Sequence, residues 1–131
     1  MIQRAGIEAL AHPDSTERIT KKYQRRLGNL VSILRTNGFR ANMPDGTFFL
    51  YVQAPKGING GAEFKDAEEA SQYMLLQQGI SVVPWDDVGH FLRFSATFES
   101  GEPSSLEGSV EDDEKVFREL DRRLKLLNFR F

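Results

Sequence analysis

Apolar residues recur at two different periods along this chain, and the switches between them divide it into elements. Ile19, Tyr23, Leu27, Leu30 and Leu34 follow one another at spacings of three and four, with Val31 four beyond Leu27. That period places an apolar stripe along one side of a long helix, with Lys21, Lys22, Arg25, Arg26 and Arg35 on its other faces. Pro13 precedes this helix, Asp14 and Glu17 have the spacing of a capping box, and Gly38 is the expected terminator. Residues 1–12, with Ala5, Ile7, Ala9 and Leu10, read as a short helical tail with too few apolar positions on one face to define a packed helix.

Beyond Gly38 the period falls to two. Phe39, Ala41 and Met43 alternate, Pro44-Asp45-Gly46 is a turn signal, and Thr47 to Val52 is rich in aromatic and branched residues, which predicts a hairpin. Residues 54–61, APKGINGG, lack the order of a phosphate-cradling loop and read as a flexible crossover. Phe64, Ala67, Ala70, Tyr73 and Met74 outline a second helix ended by Gly79, and Ile80 to Val83 reads as a short strand. Pro84 cannot donate to a ladder, so Pro84 to Gly89 is expected to be a loop, with a strand from Phe91 to Phe98. Residues 99–109 are turn-rich and expected to be mobile. Ser109 caps a last helix with Glu111, Asp112 and Asp113 in its first turn and Val116, Phe117, Leu120, Leu124 and Leu127 on its core stripe. This order implies an α+β two-layer sandwich, an antiparallel or mixed sheet of about four strands with helices packed on one face.

Composition narrows the function classes. A length of 131 residues fits one domain, and a net charge of -2 offers little attraction to phosphate backbones, so no nucleic-acid partner is expected. With no cysteine there are no disulfides, thiolate metal sites or thiol nucleophiles, which suits the cytoplasm. Neither a run of about eighteen apolar residues nor a signal-peptide stretch occurs, so no membrane partner is expected.

One charge stands out. Arg93 lies inside the apolar strand Phe91-Leu92-Arg93-Phe94-Ser95, where alternation puts it on the face of Phe91 and Ser95, opposite Leu92 and Phe94. A guanidinium presents a planar fork of donors that engages a carboxylate through two parallel hydrogen bonds, so a small acidic or amino-acid ligand suits it. Read locally, it could equally pair with Asp86 or Asp87 or lean into solvent at a sheet edge. Other candidates read as structural. His12 and His90 are far apart and without converging partners, while Asp86-Asp87 and Glu68-Glu69 are neighbours whose side chains point apart. Phe91, Phe94 and Phe98 lack the pattern of a base-stacking platform, and Tyr23 reads as packed. Trp85 is a candidate for the mouth of a substrate site.

Three stretches together resemble the small domain of class I/II, fold-type I, pyridoxal-phosphate aminotransferases. Val82-Val83-Pro84, a loop ending at Gly89, and Arg93-Phe94-Ser95 resemble that family's Val-Pro, loop, Arg-x-Ser strand. Asp45-Gly46-Thr47-Phe48-Phe49-Leu50-Tyr51-Val52 resembles its Gly-aromatic strand, and Tyr23-Gln24-Arg25-Arg26 through Gly38-Phe39 its long helix. Trp85-Asp86-Asp87 with Phe94-Ser95-Ala96-Thr97-Phe98-Glu99 is most similar to bacterial enzymes grouped with LL-diaminopimelate aminotransferases, although Trp85 to Val88 departs from the family's common Gly-x-x-Phe loop.

The resemblance implies residues 1–12 as the tail of a large-domain helix and crossover, residues 13–131 as the carboxy-terminal small domain, and Arg93 as the ligand of the substrate α-carboxylate. It also implies pyridoxal 5'-phosphate held by a large-domain lysine, amino-acid and 2-oxo-acid substrates, a role in amino-acid biosynthesis and a homodimeric parent. None of Lys21, Lys22, Lys56, Lys65, Lys115 or Lys125 sits in the family's Ser-x-x-Lys setting, so no cofactor residue, catalytic residue or metal ligand is assigned and the chain alone is expected to be inactive. The alternative is a stand-alone α+β amino-acid-binding or regulatory module that uses the same arginine without chemistry.

Overall fold

The computed structural model describes residues 2–101 and 109–131. Two helices, α1 (Ile2–Ala11) and α2 (Pro13–Thr36), follow each other with only His12 between them. Pro13 occupies the first helical position, where its fixed φ suits the helix and its missing N–H would be unpaired anyway. The expected capping box is therefore absent: His12 is the cap residue, Asp14 already lies in the first turn, and Glu17 pairs with Lys21 at 2.7 Å. No residue of α1 is buried, and Ile19 on α2 is 53% exposed, so coverage of the apolar stripe begins near Tyr23. At the other end Gly38 takes a φ of 89°, the left-handed region, and a Cβ there would stand 2.9 Å from the Phe131 ring. The Phe39 N–H reaches back to the Leu34 carbonyl at 3.0 Å, closing the helix end.

The expected hairpin does not form. Its first strand is replaced by irregular chain, because Arg35 Nε donates to the Ala41 carbonyl at 2.7 Å and the Ala41 N–H turns back to the Phe39 carbonyl. Phe39 and Ala41 are nevertheless buried. The second half gives β1 (Phe49–Gln53), which pairs not with its sequence neighbour but with β4 (Phe91–Ser95). The Gly-rich segment is tied down rather than flexible: β2 (Gly57–Ile58) pairs with β5 (Phe129–Arg130), and Lys56 and Phe64 add further backbone bonds.

Helix α3 (Ala67–Gln78) is capped by Asp66, whose side chain accepts from the Glu69 N–H, and is ended by Gly79 at φ 63°. The strand expected at Ile80 to Val83 lies further on, as β3 (Val83–Trp85), with Ile80 and Val82 buried ahead of it. Pro84 is inside this strand, not in a loop, because β3 is an edge strand of the sheet ordered β1-β4-β3 and proline is tolerated there. β4 (Phe91–Ser95) pairs antiparallel with both neighbours and is shorter than expected, although the Ala96 N–H still bonds the Phe48 carbonyl. Of the segment expected to be mobile, residues 102–108 lie outside the described residues. Helix α4 (Val110–Lys125) begins at Ser109, whose hydroxyl accepts from the Asp112 N–H.

The result is an α+β sandwich. Leu50, Val52, Leu92 and Phe94 of the sheet share one core with Leu27, Leu30, Val31 and Leu34 of α2, Ala70 and Met74 of α3, and Phe117 and Leu124 of α4. Among the described residues no helix is long and apolar enough to cross a membrane.

Arg26 does not take a polar face of α2 as its charge suggested. It is 2% exposed and lies between Tyr23 and Leu30 on the stripe itself, with Asp113 of α4, 1% exposed, as its partner. Arg26 Nη2 and Nε bond the two Asp113 oxygens at 2.6 and 2.9 Å, and Arg26 Nη1 donates to the carbonyls of Ala96 and Phe98 at 3.0 and 2.7 Å. Arg25 and Ser100 also donate to Asp113, and the Arg26 guanidinium lies 4.2 Å above the Phe98 ring. Burial alone would raise the Asp113 pKa, but the hydrogen bonds from Arg26, Ser100 and Arg25 outweigh it and hold the carboxyl far below its ordinary range.

Removing one partner of such a pair strands the other charge without water. Asp113→Ala is expected to destabilise the chain by about 3–5 kcal/mol in urea unfolding. A folded pKa below the unfolded one contributes stability that is present above the unfolded value of about 3.9 and is lost as pH falls through the folded pKa. The stability gap between wild type and Asp113→Asn is therefore expected to be full at neutral pH and to shrink below about pH 4, read as urea midpoints across pH.

Candidate functional site

Because successive residues of a strand point to opposite faces, burying Leu50, Val52, Leu92 and Phe94 turns Phe49, Tyr51, Phe91 and Arg93 the other way. The register places Arg93 directly between Tyr51 of β1 and Val83 of β3, and Phe91 between Gln53 and Trp85. Val83, Trp85 and Tyr51 are 41%, 37% and 47% exposed, so this face is open and aromatic with one cation at its centre.

The guanidinium of Arg93 is held by rings, not by acids. Its Cζ stands 4.4 Å over the Phe49 ring and 5.7 Å from the Trp85 ring. Tyr51 and Trp85 meet edge to face at 6.1 Å. Among the described residues Arg93 has no hydrogen bond and no ion pair, and it is half-exposed. Stacking on an aromatic face favours the cation without consuming its in-plane N–H donors, so the fork remains able to take a planar carboxylate in two parallel bonds.

Of the two acids that might have neutralised it, Asp86 is engaged elsewhere. Asp86 Oδ1 accepts from the Ala67 N–H at 2.9 Å and from His90 Nδ1 at 2.7 Å, and Oδ2 from the Glu68 N–H at 3.2 Å. Hydrogen bonding from His90, then from the Ala67 backbone, lowers the Asp86 pKa. Asp86 is thus anchored at the start of α3, and Asp86 and Asp87 do not act as a pair. Glu69 accepts from the Lys65 N–H and Glu68 from Gln72, so this second acidic pair is divided in the same way. His12 contacts Glu8 at 2.8 Å on the exposed tail, and the His90 ring is exposed apart from Asp86. Tyr23 packs 5.7 Å from Phe48.

Phe49 and Tyr51 carry no mark of a site in the sequence, where Asp86 enters only as a possible partner of Arg93 or as half of an acidic pair. Phe49 and Tyr51 alternate with the buried Leu50 and Val52, which puts them on one face, but the β1–β4 pairing that brings them to Arg93 leaves no local signal. The described residues hold no cluster suited to a metal ion. They do not fit a cofactor anchor either, since Lys21, Lys56, Lys65, Lys115 and Lys125 are exposed and Lys22 is half-exposed, with Lys21, Lys115 and Lys125 paired to acids on helix surfaces.

No family model matches the sequence. Compared with curated proteins, the chain is 48% identical over 99% of its length to LL-diaminopimelate aminotransferase of Methanococcus maripaludis. It is likewise 48% identical over 99% of its length to the enzyme of that name from Methanocaldococcus jannaschii. It spans 31% of the length of each of these relatives. Among solved structures, the aromatic aminotransferase of Pyrococcus horikoshii superposes on 86% of the chain with a TM-score of 0.61 at 21% identity, the chain covering 27% of that protein. By sequence the chain matches a segment, 31% of the length, of proteins named LL-diaminopimelate aminotransferase, and its fold fits part of a solved aminotransferase.

Proposed function

We propose that these residues form the small, substrate-closing domain of a pyridoxal-phosphate aminotransferase, in which Arg93 binds the substrate α-carboxylate. The observation that carries this reading is the guanidinium, unpaired among the described residues, at the centre of an uncovered aromatic sheet face. A cation without an acid partner on a partly apolar surface gains most from a ligand that brings its own carboxylate and from a covering domain that lowers the local dielectric. The 48% identical relatives are named LL-diaminopimelate aminotransferases, which supports an amino acid and a 2-oxo acid as substrates of the parent, in amino-acid biosynthesis in the cytoplasm.

When bound, the cofactor supplies the electron sink for exchanging an amino group, and its anchoring lysine belongs to the remainder of the protein. What this segment contributes is orientation and closure. Arg93 fixes the substrate by one end, Trp85 and Tyr51 form the wall beside it, and closing this face over the substrate excludes water. Trp85 is in this reading a second substrate-facing residue. The whole enzyme is a homodimer in the same reading, and the segment alone does not transaminate.

In the full-length enzyme, Arg93→Ala is expected to lower kcat/KM by an amount equivalent to about 2–5 kcal/mol, with Arg93→Lys also impaired because an ammonium cannot replace the fork. Unchanged kcat/KM would overturn the role. Since Arg93 has no hydrogen bond or ion pair among the described residues and only ring contacts to lose, Arg93→Met should shift urea stability of the segment by no more than about 1 kcal/mol. Mixing the segment with amino donor, acceptor and cofactor is expected to yield no product. Finding an upstream reading frame that encodes a large domain with a cofactor lysine would favour this reading over a stand-alone binding module, and an in-frame stop with an independent ribosome site would favour the module.

A further inference from the structure

Edge strand β3 carries Val83 and Trp85 to the side of Arg93, yet its own ladder is poorly suited to hold it. It is only Val83–Trp85, and it has a neighbour on one side alone. What fixes it comes from α3. Ahead of the strand, the Ser71 hydroxyl, buried, donates to the Val82 carbonyl at 2.9 Å. Behind it, Asp86 accepts from the Ala67 and Glu68 N–H groups in the first turn of the same helix. A carboxylate accepting backbone N–H groups at a helix start is favoured by both the charged hydrogen bonds and the helix dipole. His90, four residues on, bonds the same carboxylate and ties down the far side of the β3–β4 turn.

We propose that Asp86, with Ser71, is a positioning residue: the two form a two-point strap by which α3 sets the place of Trp85 against the Arg93 guanidinium. The functional meaning of the strap rests on the substrate-binding reading of Arg93, but the strap itself does not. Weakening it leaves β3 attached by its short ladder and lets the Trp85 ring, 5.7 Å from Arg93 and 6.1 Å from Tyr51, leave its place. A side wall displaced in this way costs substrate orientation more than folding.

Trp85 is the single tryptophan of the chain, so its fluorescence reports the position directly. In the 131-residue chain, Asp86→Asn is expected to shift Trp85 emission to the red and to raise its quenching by acrylamide, with helical circular dichroism retained. Ser71→Ala is expected to do the same to a smaller degree, and Asp86→Glu to recover part of the wild-type spectrum. Should Asp86→Asn unfold the chain, Ser71→Ala carries the test, since it removes the other of the two points by which α3 holds β3. Folded variants with wild-type emission and quenching would overturn the strap. In the full-length enzyme Asp86→Asn is expected to raise KM more than it lowers kcat, with a loss in kcat/KM of up to about a hundredfold. If Arg93→Ala leaves kcat/KM unchanged while Asp86→Asn alters Trp85 emission, the strap stands and the substrate reading falls. The opposite pair of results rejects the strap alone.

Discussion

The Arg26–Asp113 pair is the constraint around which the fold is arranged. It joins the middle of α2 to the start of α4, and the same guanidinium gathers the carbonyls of Ala96 and Phe98 just beyond β4. Two helices and the exit of the central strand are therefore fixed relative to one another by one buried cation. A buried charge of this kind has few alternative arrangements that satisfy all its donors, so it specifies a geometry as well as contributing stability. The sheet on which Arg93 stands is held from beneath by this network.

The chain thus uses arginine in two opposite environments. Arg26 is enclosed, and its donors are directed at Asp113, Ser100 and two backbone carbonyls. Arg93 is stacked on a ring, half-exposed and unpaired among the described residues. The contrast follows from which side of each element the core occupies. Arg26 shares a helix face with Tyr23, Leu27 and Leu30, whereas Arg93 alternates with Leu92 and Phe94.

The elements governed by short-range periodicity were legible in the sequence. The three longer helices, the Ser109 cap, Gly38 and Gly79 as helix ends, and the two faces of β4 all follow from local spacing. What escaped was decided by distant partners. The hairpin reading failed because the backbone near Phe39 and Ala41 is bonded to α2, and β1 finds β4 instead. β3 and its proline were misplaced because edge position is a property of the sheet, which no short window reveals. Arg26 was assigned to solvent by its charge, although its spacing of three from Tyr23 and four from Leu30 put it on the buried stripe. On the candidate face, Arg93 was conspicuous as a lone charge among apolar residues, while Phe49 and Tyr51 become its neighbours only through pairing across the sheet.

Pro84 has one more consequence. A three-stranded sheet with free margins is open to strand addition by another chain, which is a route to aggregation. A proline in the marginal strand removes a donor that an incoming strand would need, and the helix packed beside β3 crowds that margin further. Lateral growth of the sheet on this side is therefore discouraged, and a partner meets it across its aromatic surface instead.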